Sequence, residues 1–502
     1  MKPLRIFCLI IVLMAGICGA QASPKREMRG VWVATVWGLD WPSIKGTGKR
    51  VEQRQKAELI KMLDEYKRLN FTTVCLQVRS MGDVFYPSRY EPWSAFLTGT
   101  RGADPGWDPL EFAVEECHKR GLELYAWVNP FRWSTGTAYN TSADQRWKKR
   151  GWLMTYGKYT VFNPGLEEVR LHLVEMCREI VDGYDVDGLV FDDYFYPNRI
   201  PADNTAPDYK LYKSEAPWMT FSDWRRACVH KAVADVKAMI ADTRPGCRFG
   251  ISPAGVAGKG DTSASKWGVE PCTVGASDWQ YEEIYSDPLG LMYQGTVDFI
   301  SPQIYWSTTH SKAPFGPLVN WWAQASCRFG SHLYSSITLE RVEMGNKREN
   351  INDAARQIDA HRRASIDGNC GIIIYSSRFL PLVSQVVEDR FATRSLPPVS
   401  GRSADLEIES PKGLRMDKGV LRWSESSGEP GELMRYTVYA IPPGVGKEDA
   451  QADDGDGLAA EYLQGVTYLP EFKPEKSTDG WRYAVCVYTP QSAESAPTWL
   501  EP

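Results

Sequence analysis

The feature that most constrains this chain is a series of eight short β-like runs, most of them followed by a helical pattern. They are "MRGVWVATV" (28–36), "FTTVCLQVR" (71–79), "LELYAWVN" (122–129), "VDGLVFDD" (186–193), "CRFGISP" (247–253), "VDFISPQIYW" (297–306), "HLYSSIT" (332–338) and "CGIIIYSS" (370–377). The runs are rich in β-branched and aromatic residues and closely follow helix–glycine boundaries, the pattern of strands buried on both faces of a parallel sheet. Between them Leu59, Ile60, Leu63, Tyr66 and Leu69 recur at helical spacing. Asp108 and Pro109 open a helix that Gly121 ends, Val169, Leu173, Met176, Ile180 and Val181 share one face, and a further helix starts near Ser222. Eight such units predict an α/β fold, a (β/α)8 TIM barrel with long insertions over residues 23–395. A doubly wound open sheet is the alternative, but no glycine-rich phosphate fingerprint follows the first strand.

The flanks read differently. Residues 1–22 carry Lys2 and Arg5, an apolar run from Ile6 to Ile17 and Ala20-Gln21-Ala22, which is the form of an export signal cleaved after Ala22. Lipidation at Cys18 is the other option, but Ile17 stands where a small residue is wanted. The expectation is an exported, periplasmic or envelope-associated protein, with no later stretch apolar enough to span a membrane. Past the barrel, "RSLPPVSGRSADLE" contains a linker, 396–403. Residues 404–502 then alternate in short strands that look like a fibronectin type III module, a β-sandwich suited to docking on an envelope protein.

Charge and cysteines narrow the function. Loss of Lys2 and Arg5 takes the net charge from −5 to −7, and no dense Lys/Arg run remains to favour nucleic acid. Nine cysteines remain after the signal, mostly in apolar runs, and read as buried hydrophobes rather than a disulfide framework. His118, His172, His230 and His361 fall on outer helices and His332 opens a strand, so no histidine-based metal site and no cofactor is expected. Carboxylates alone leave a hard cation such as calcium open. The 19 Trp, 24 Tyr and 17 Phe are frequent in polar stretches, where a flat apolar ring with a polar edge suits a sugar face.

Functional groups of a barrel gather at the carboxyl ends of its strands. Read in order, those ends supply Trp37 and Asp40; Gln77, Arg79 and Asp83; Trp127, Asn129 and Arg132; Asp192 and Asp193; Ser252; Gln303, Tyr305 and Trp306; and Glu340. Strand residues alternate faces, so one acid of the Asp192–Asp193 pair faces the mouth while the other supports a neighbour. An acid among aromatic rings is placed to have a tuned pKa, as glycoside hydrolysis requires of its proton donor. The plainer reading is that both acids pair with Arg79 or Arg132 and brace the barrel.

"REMRGVWVATV", "QVRSMGD", "AWVNPFR", "DGLVFDDYFYP", "DWRR", "FGISP", "PQIYWS" and "NWWA" resemble the glycosyl-hydrolase-like family 10 proteins, from about residue 26 to 395. The resemblance implies a TIM-barrel glycoside hydrolase acting on polysaccharide, with envelope glycan such as peptidoglycan strands the leading substrate class. It puts Arg79, Asp83, Asn129, Tyr194, Gln303, Tyr305 and Trp306 around the cleft with Asp192 and Asp193 as catalytic residues. To these the strand ends add Trp127 and Arg132. The general acid stays open among Asp192, Asp193, Asp83, Glu270, Asp278 and Glu340. A non-catalytic glycan-binding protein, and a transglycosylase using the same cleft, are the alternatives.

Overall fold

The computed structural model describes residues 23–500 except 367, 369, 401–407, 427–432, 453–454 and 476–479. The predicted export signal, Cys18 with it, and residues 401–403 of the predicted linker lie outside the described residues.

All eight predicted runs form strands of one closed parallel barrel. In chain order these are β1 (Met28–Val33), β2 (Thr73–Arg79), β3 (Glu123–Val128), β4 (Gly188–Asp192), β5 (Arg248–Ser252), β6 (Phe299–Ile300), β7 (His332–Thr338) and β8 (Cys370–Tyr375), and β8 pairs with β1 to close the ring. Nearly every strand residue is buried because one face packs on helices and the other fills the barrel. Leu189 and Phe191 of β4 join the cluster under the helices, whereas Val190 joins Trp32, Cys75, Tyr125, Trp127, Phe299, Tyr334 and Ile373 inside the ring. The run at 297–306 yields only the two residues of β6. Pro302 has no N–H for a ladder, and pairing resumes as single bridges from Gln303 to Ala254 and Ser336.

The helices start where the capping chemistry places them. Asp108 accepts from the N–H groups of Leu110 and Glu111 at 3.0 and 3.1 Å and opens the helix Pro109–His118. Helix Glu167–Gly183 buries Val169, Leu173, Met176, Ile180 and Val181 against the sheet. The long loop after β3 is an ordered insertion in which strands Arg132–Thr135, Tyr159–Phe162 and Leu153–Tyr156 form an antiparallel sheet.

After β8 the chain builds two antiparallel sheets. One holds Leu463–Thr467, Arg435–Ile441, Arg482–Tyr488 and Thr498–Leu500, and the other Lys412–Asp417, Val420–Ser424 and Glu471–Phe472. Tyr436, Val438, Val485 and Val487 pack between the sheets on Leu421 and Trp423. The opposite face of the first sheet lies on the amino-terminal end of the barrel. Arg435 meets Glu123 at 2.5 Å and Asp187 at 3.7 Å, and Tyr468 stacks on His118 at 3.8 Å and donates to Asp187 at 2.9 Å. Lys25 and Arg26 pair with Glu494 at 2.8 and 3.1 Å. At Gly121 a Cβ would sit 2.2 Å from the Val466 carbonyl oxygen, so the approach of the two bodies there depends on glycine.

Candidate active site

The alternation inside the barrel determines what its mouth displays. On β4, Val190 points inward, so Asp192 two residues later points inward too, at the rim. The same count brings up Trp32 from β1, Gln77 from β2, Trp127 from β3, Ser252 from β5 and Tyr375 from β8. These line a cleft of about 310 Å3 together with Trp37, Arg132, Tyr194, Gln303, Tyr305 and Glu340. A larger cavity of about 460 Å3 lies at the opposite end, between Glu123, Arg435 and Val466, remote from these groups.

Asp192 is 6% exposed, and its Oδ1 accepts from the Asp193 N–H at 2.9 Å and from Gln303 Nε2 at 3.3 Å. Gln303 is held in turn by donating to the Ser252 carbonyl at 3.0 Å. Burial raises the pKa of Asp192 above the usual carboxylate range, against the pull of the Arg132 guanidinium. Asp193 is buried next to it, off the cleft lining. Burial and then the Asp192 charge push Asp193 well above the ordinary value. Two carboxyls this close titrate as a pair, with the neutral acid favoured most strongly at Asp193.

The walls are aromatic. Arg132 lies over the Tyr194 ring, 3.7 Å from its centroid, Trp32 meets Trp127 edge-on at 4.9 Å, and Tyr305 stacks on Tyr375 at 5.7 Å. Trp37 is 56% exposed at a φ of 57°, a left-handed conformation that costs a bulky residue about 1–3 kcal/mol. Of the large apolar side chains exposed among the described residues, Trp37 and Tyr194 line this cleft.

The predicted residues divide. Asp192, Trp127, Arg132, Tyr194, Gln303 and Tyr305 line the cleft. Asn129 lies just beneath, accepting from Gln77 Nε2 at 3.1 Å. Arg79 is turned away because β2 bulges between Gln77 and Arg79, which reverses the alternation. Its guanidinium is forked onto Glu91 at 2.7 and 2.8 Å and reaches the Asn129 carbonyl. Burial alone would raise Glu91, yet Arg79 and His172 hold it down to about 2. Asp83 is ion-paired with Arg101 at 3.0 Å, and Trp306 packs on the core with its carbonyl bonded to Gln357. These three brace the loops around the cleft. Of the remaining acids, Glu270 is exposed outside the cleft, and Asp278 caps the helix Trp279–Glu283, where burial lifts it to about 6. Trp32, Val36, Leu39 and Tyr375 are the cleft residues that reading the strand ends missed. Trp32 stands one residue before the end of β1, Val36 and Leu39 flank the Trp37 that was read, and the eighth strand's end went uncounted. The inward alternation Ile373–Tyr375 is the signal that finds the latter.

Known proteins resemble this chain to different degrees. Glycosyl hydrolase YngK of Bacillus subtilis (strain 168) is 39% identical over 325 residues, which span 63% of this chain and 61% of that protein. Glycosyl hydrolase DigH of Escherichia coli (strain K12) is 36% identical over 340 residues, spanning 64% of this chain and 76% of that protein. The glycoside hydrolase domain of PgaB (BpsB) from Bordetella bronchiseptica covers 74% of this chain and 100% of its own, with a TM-score of 0.48 and 12% identity. The family model described as glycosyl hydrolase-like 10 matches residues 27–352, and with the two relatives it establishes that this chain belongs to the glycosyl hydrolase-like 10 family.

Proposed function

We propose that this protein is an exported glycoside hydrolase that cleaves glycosidic bonds in bacterial envelope glycan, peptidoglycan strands first among them. The observation that carries the reading is the buried Asp192–Asp193 pair, the Asp193 N–H bonded to the Asp192 carboxylate, at the floor of an aromatic cleft with only Asp192 on the lining. Burial raises both carboxyls and the Asp192 charge raises Asp193 further, the direction a proton donor to a leaving group requires. Asp192 is the member that reaches the substrate, so it protonates the leaving glycosidic oxygen. The Asp193 N–H and Gln303 fix the Asp192 carboxyl. The exposed carboxylate on the same lining, Glu340, comes from the loop after β7, three strands around from β4. It is the candidate for the second role in hydrolysis, activating water or backing the developing positive charge. Trp37, Tyr194 and Tyr305 offer flat faces to successive sugar rings. Residues 1–22 direct export in this reading. The C-terminal sheets, read as a fibronectin type III-like module, leave the side away from the barrel for docking on an envelope protein.

The test incubates the mature chain and its Asp192→Asn and Asp193→Asn variants with peptidoglycan glycan strands stripped of peptides, and reads products by mass spectrometry. Short saccharides from the parent and none from Asp192→Asn are expected. Equal yields from parent and Asp192→Asn would remove Asp192 from the chemistry, and no products from any form would remove the hydrolase reading.

A further inference from the structure

A second groove lies on the flank of the barrel, outside the cleft. Its volume is about 430 Å3, and it runs between helix Phe221–Thr243 and the helix Pro288–Tyr293. Helix Phe221–Thr243 presents Asp223, Ala227, His230 and Ala234 along one side of it, at the spacing of a single helical face, and the two alanines leave the room. The facing wall is Trp267, whose Nε1 donates to the Asp287 carboxylate at 3.3 Å. The same carboxylate caps helix Pro288–Tyr293 through the Gly290 N–H at 3.1 Å and takes Lys266 at 3.1 Å. A Cβ at Gly290 would stand 2.5 Å from His230 and 2.8 Å from Trp267, so glycine is what lets both rings converge on Asp287. The indole is therefore fixed before any ligand arrives, which removes an ordering cost from binding.

Beside Trp267 at the rim stands Tyr293, 60% exposed, with ring centroids 4.9 Å apart and planes tilted by 37°. Phe329 supports Tyr293 edge-on at 6.1 Å. Exposed polar side chains share the lining. Gln294 is held by the His230 ring, whose Nδ1 is bonded to its Oε1 at 3.2 Å, and Asp223 stands on the facing helix. An exposed ring, a rigid indole and exposed carboxylate and amide groups in one open groove are the chemistry of sugar recognition.

We propose that this flank groove is a second carbohydrate-binding site, which holds a length of the polysaccharide whose other segment enters the cleft. The ligand class rests on the proposed function, but the site is separate from the chemistry. Two sites on one polymer raise its apparent affinity without changing the turnover of a fragment too short to reach both.

The experiment uses the full mature chain carrying Asp192→Asn, with and without Tyr293→Ala or Ala227→Arg. Both added substitutions lie at exposed positions, one removing the platform and the other filling the groove. Retention on peptide-free peptidoglycan glycan strands is measured by co-sedimentation, which reads binding whether or not any form is a hydrolase. Each added substitution is expected to weaken retention about five- to tenfold, the size of one lost aromatic contact. With the native Asp192 restored, turnover of a tetrasaccharide is expected to stay within about twofold, since the groove contributes only avidity. Equal retention in all three forms, or no retention by the starting form, overturns the proposal. Absence of tetrasaccharide turnover in every form counts against the hydrolase reading alone.

Discussion

The two ends of the barrel hold the same kinds of side chain under opposite terms. At the amino-terminal end the charges are joined directly: Arg435 to Glu123, His118 to Asp187 at 3.0 Å, Lys25 and Arg26 to Glu494. At the carboxyl end two carboxyls of like charge are pressed together as Asp192 and Asp193, and burial raises the pKa of both. The first arrangement fastens two bodies, and removing one partner strands a buried charge. The second disfavours the charged state of both acids, which in the proposed function is what lets a substrate take the proton. Stability and chemistry thus occupy different ends of one fold, with strands about six residues long between them.

Substitutions at each end test that division. Asp192→Asn is expected to lower kcat on glycan strands about 10²–10⁴-fold, the range of a lost general acid. Its thermal midpoint is expected to equal or exceed the parent's, because the like-charge repulsion is gone. A fall in midpoint would mean that the pair braces the mouth after all. Arg435→Ala is expected to do the reverse, destabilising by about 3–5 kcal/mol in denaturant unfolding while kcat below the transition is kept. Replacing Arg435 and Glu123 together by Met and Gln is expected to recover part of that loss. If it recovers none, the pairing across the interface is not what the arginine supplies. Trp37→Ala is expected to raise KM about tenfold at unchanged kcat, as loss of a stacking face outside the reacting bond should. An unchanged KM would place the sugar elsewhere in the cleft.

The smallest effect is in the sign of the pH dependence. Burial alone would raise Asp187, but His118 and Arg435 carry its pKa below the usual value. Its contribution to stability is therefore full above about pH 4 and lost as the pH falls through its folded pKa. Asp193 is raised, so its contribution is full below about pH 4 and lost as the pH rises through its folded value. Midpoints measured between pH 3 and pH 8 should show Asp193→Asn gaining on the parent as the pH rises. The disadvantage of Asp187→Asn should shrink as the pH falls below about 4, each change being on the order of 1 kcal/mol. Parallel profiles for the two variants would erase the distinction between the ends.

The strands were legible because burial on both faces leaves a continuous apolar run. Asp192 was legible as a site residue because period-two alternation carries from Val190 to the rim. Arg79 was not. Its direction depends on one extra residue in β2 relative to β3, and neither the bulge nor the Glu91 that receives the guanidinium is visible in the local pattern. Asp83 was misassigned for a similar reason, because Arg101 reaches it from a loop whose path only the folded chain defines. The aromatic stretch after β3 was visible as an insertion but not as a sheet, since its strands are four residues each.

Closure of the ring has a further consequence. Residues 27–352, by which the chain is matched to its family, stop within helix Lys347–Ala364 and so fall short of β8. A fragment cut to that length would carry β1 and β7 as two bare parallel edges, lacking the partner that joins Val31 to Ile374 and Ile337 to the same residue. The stretch that identifies the family is thus shorter than the stretch that closes the ring, and a gene trimmed to the former is expected to yield an open chain with two edges free to pair.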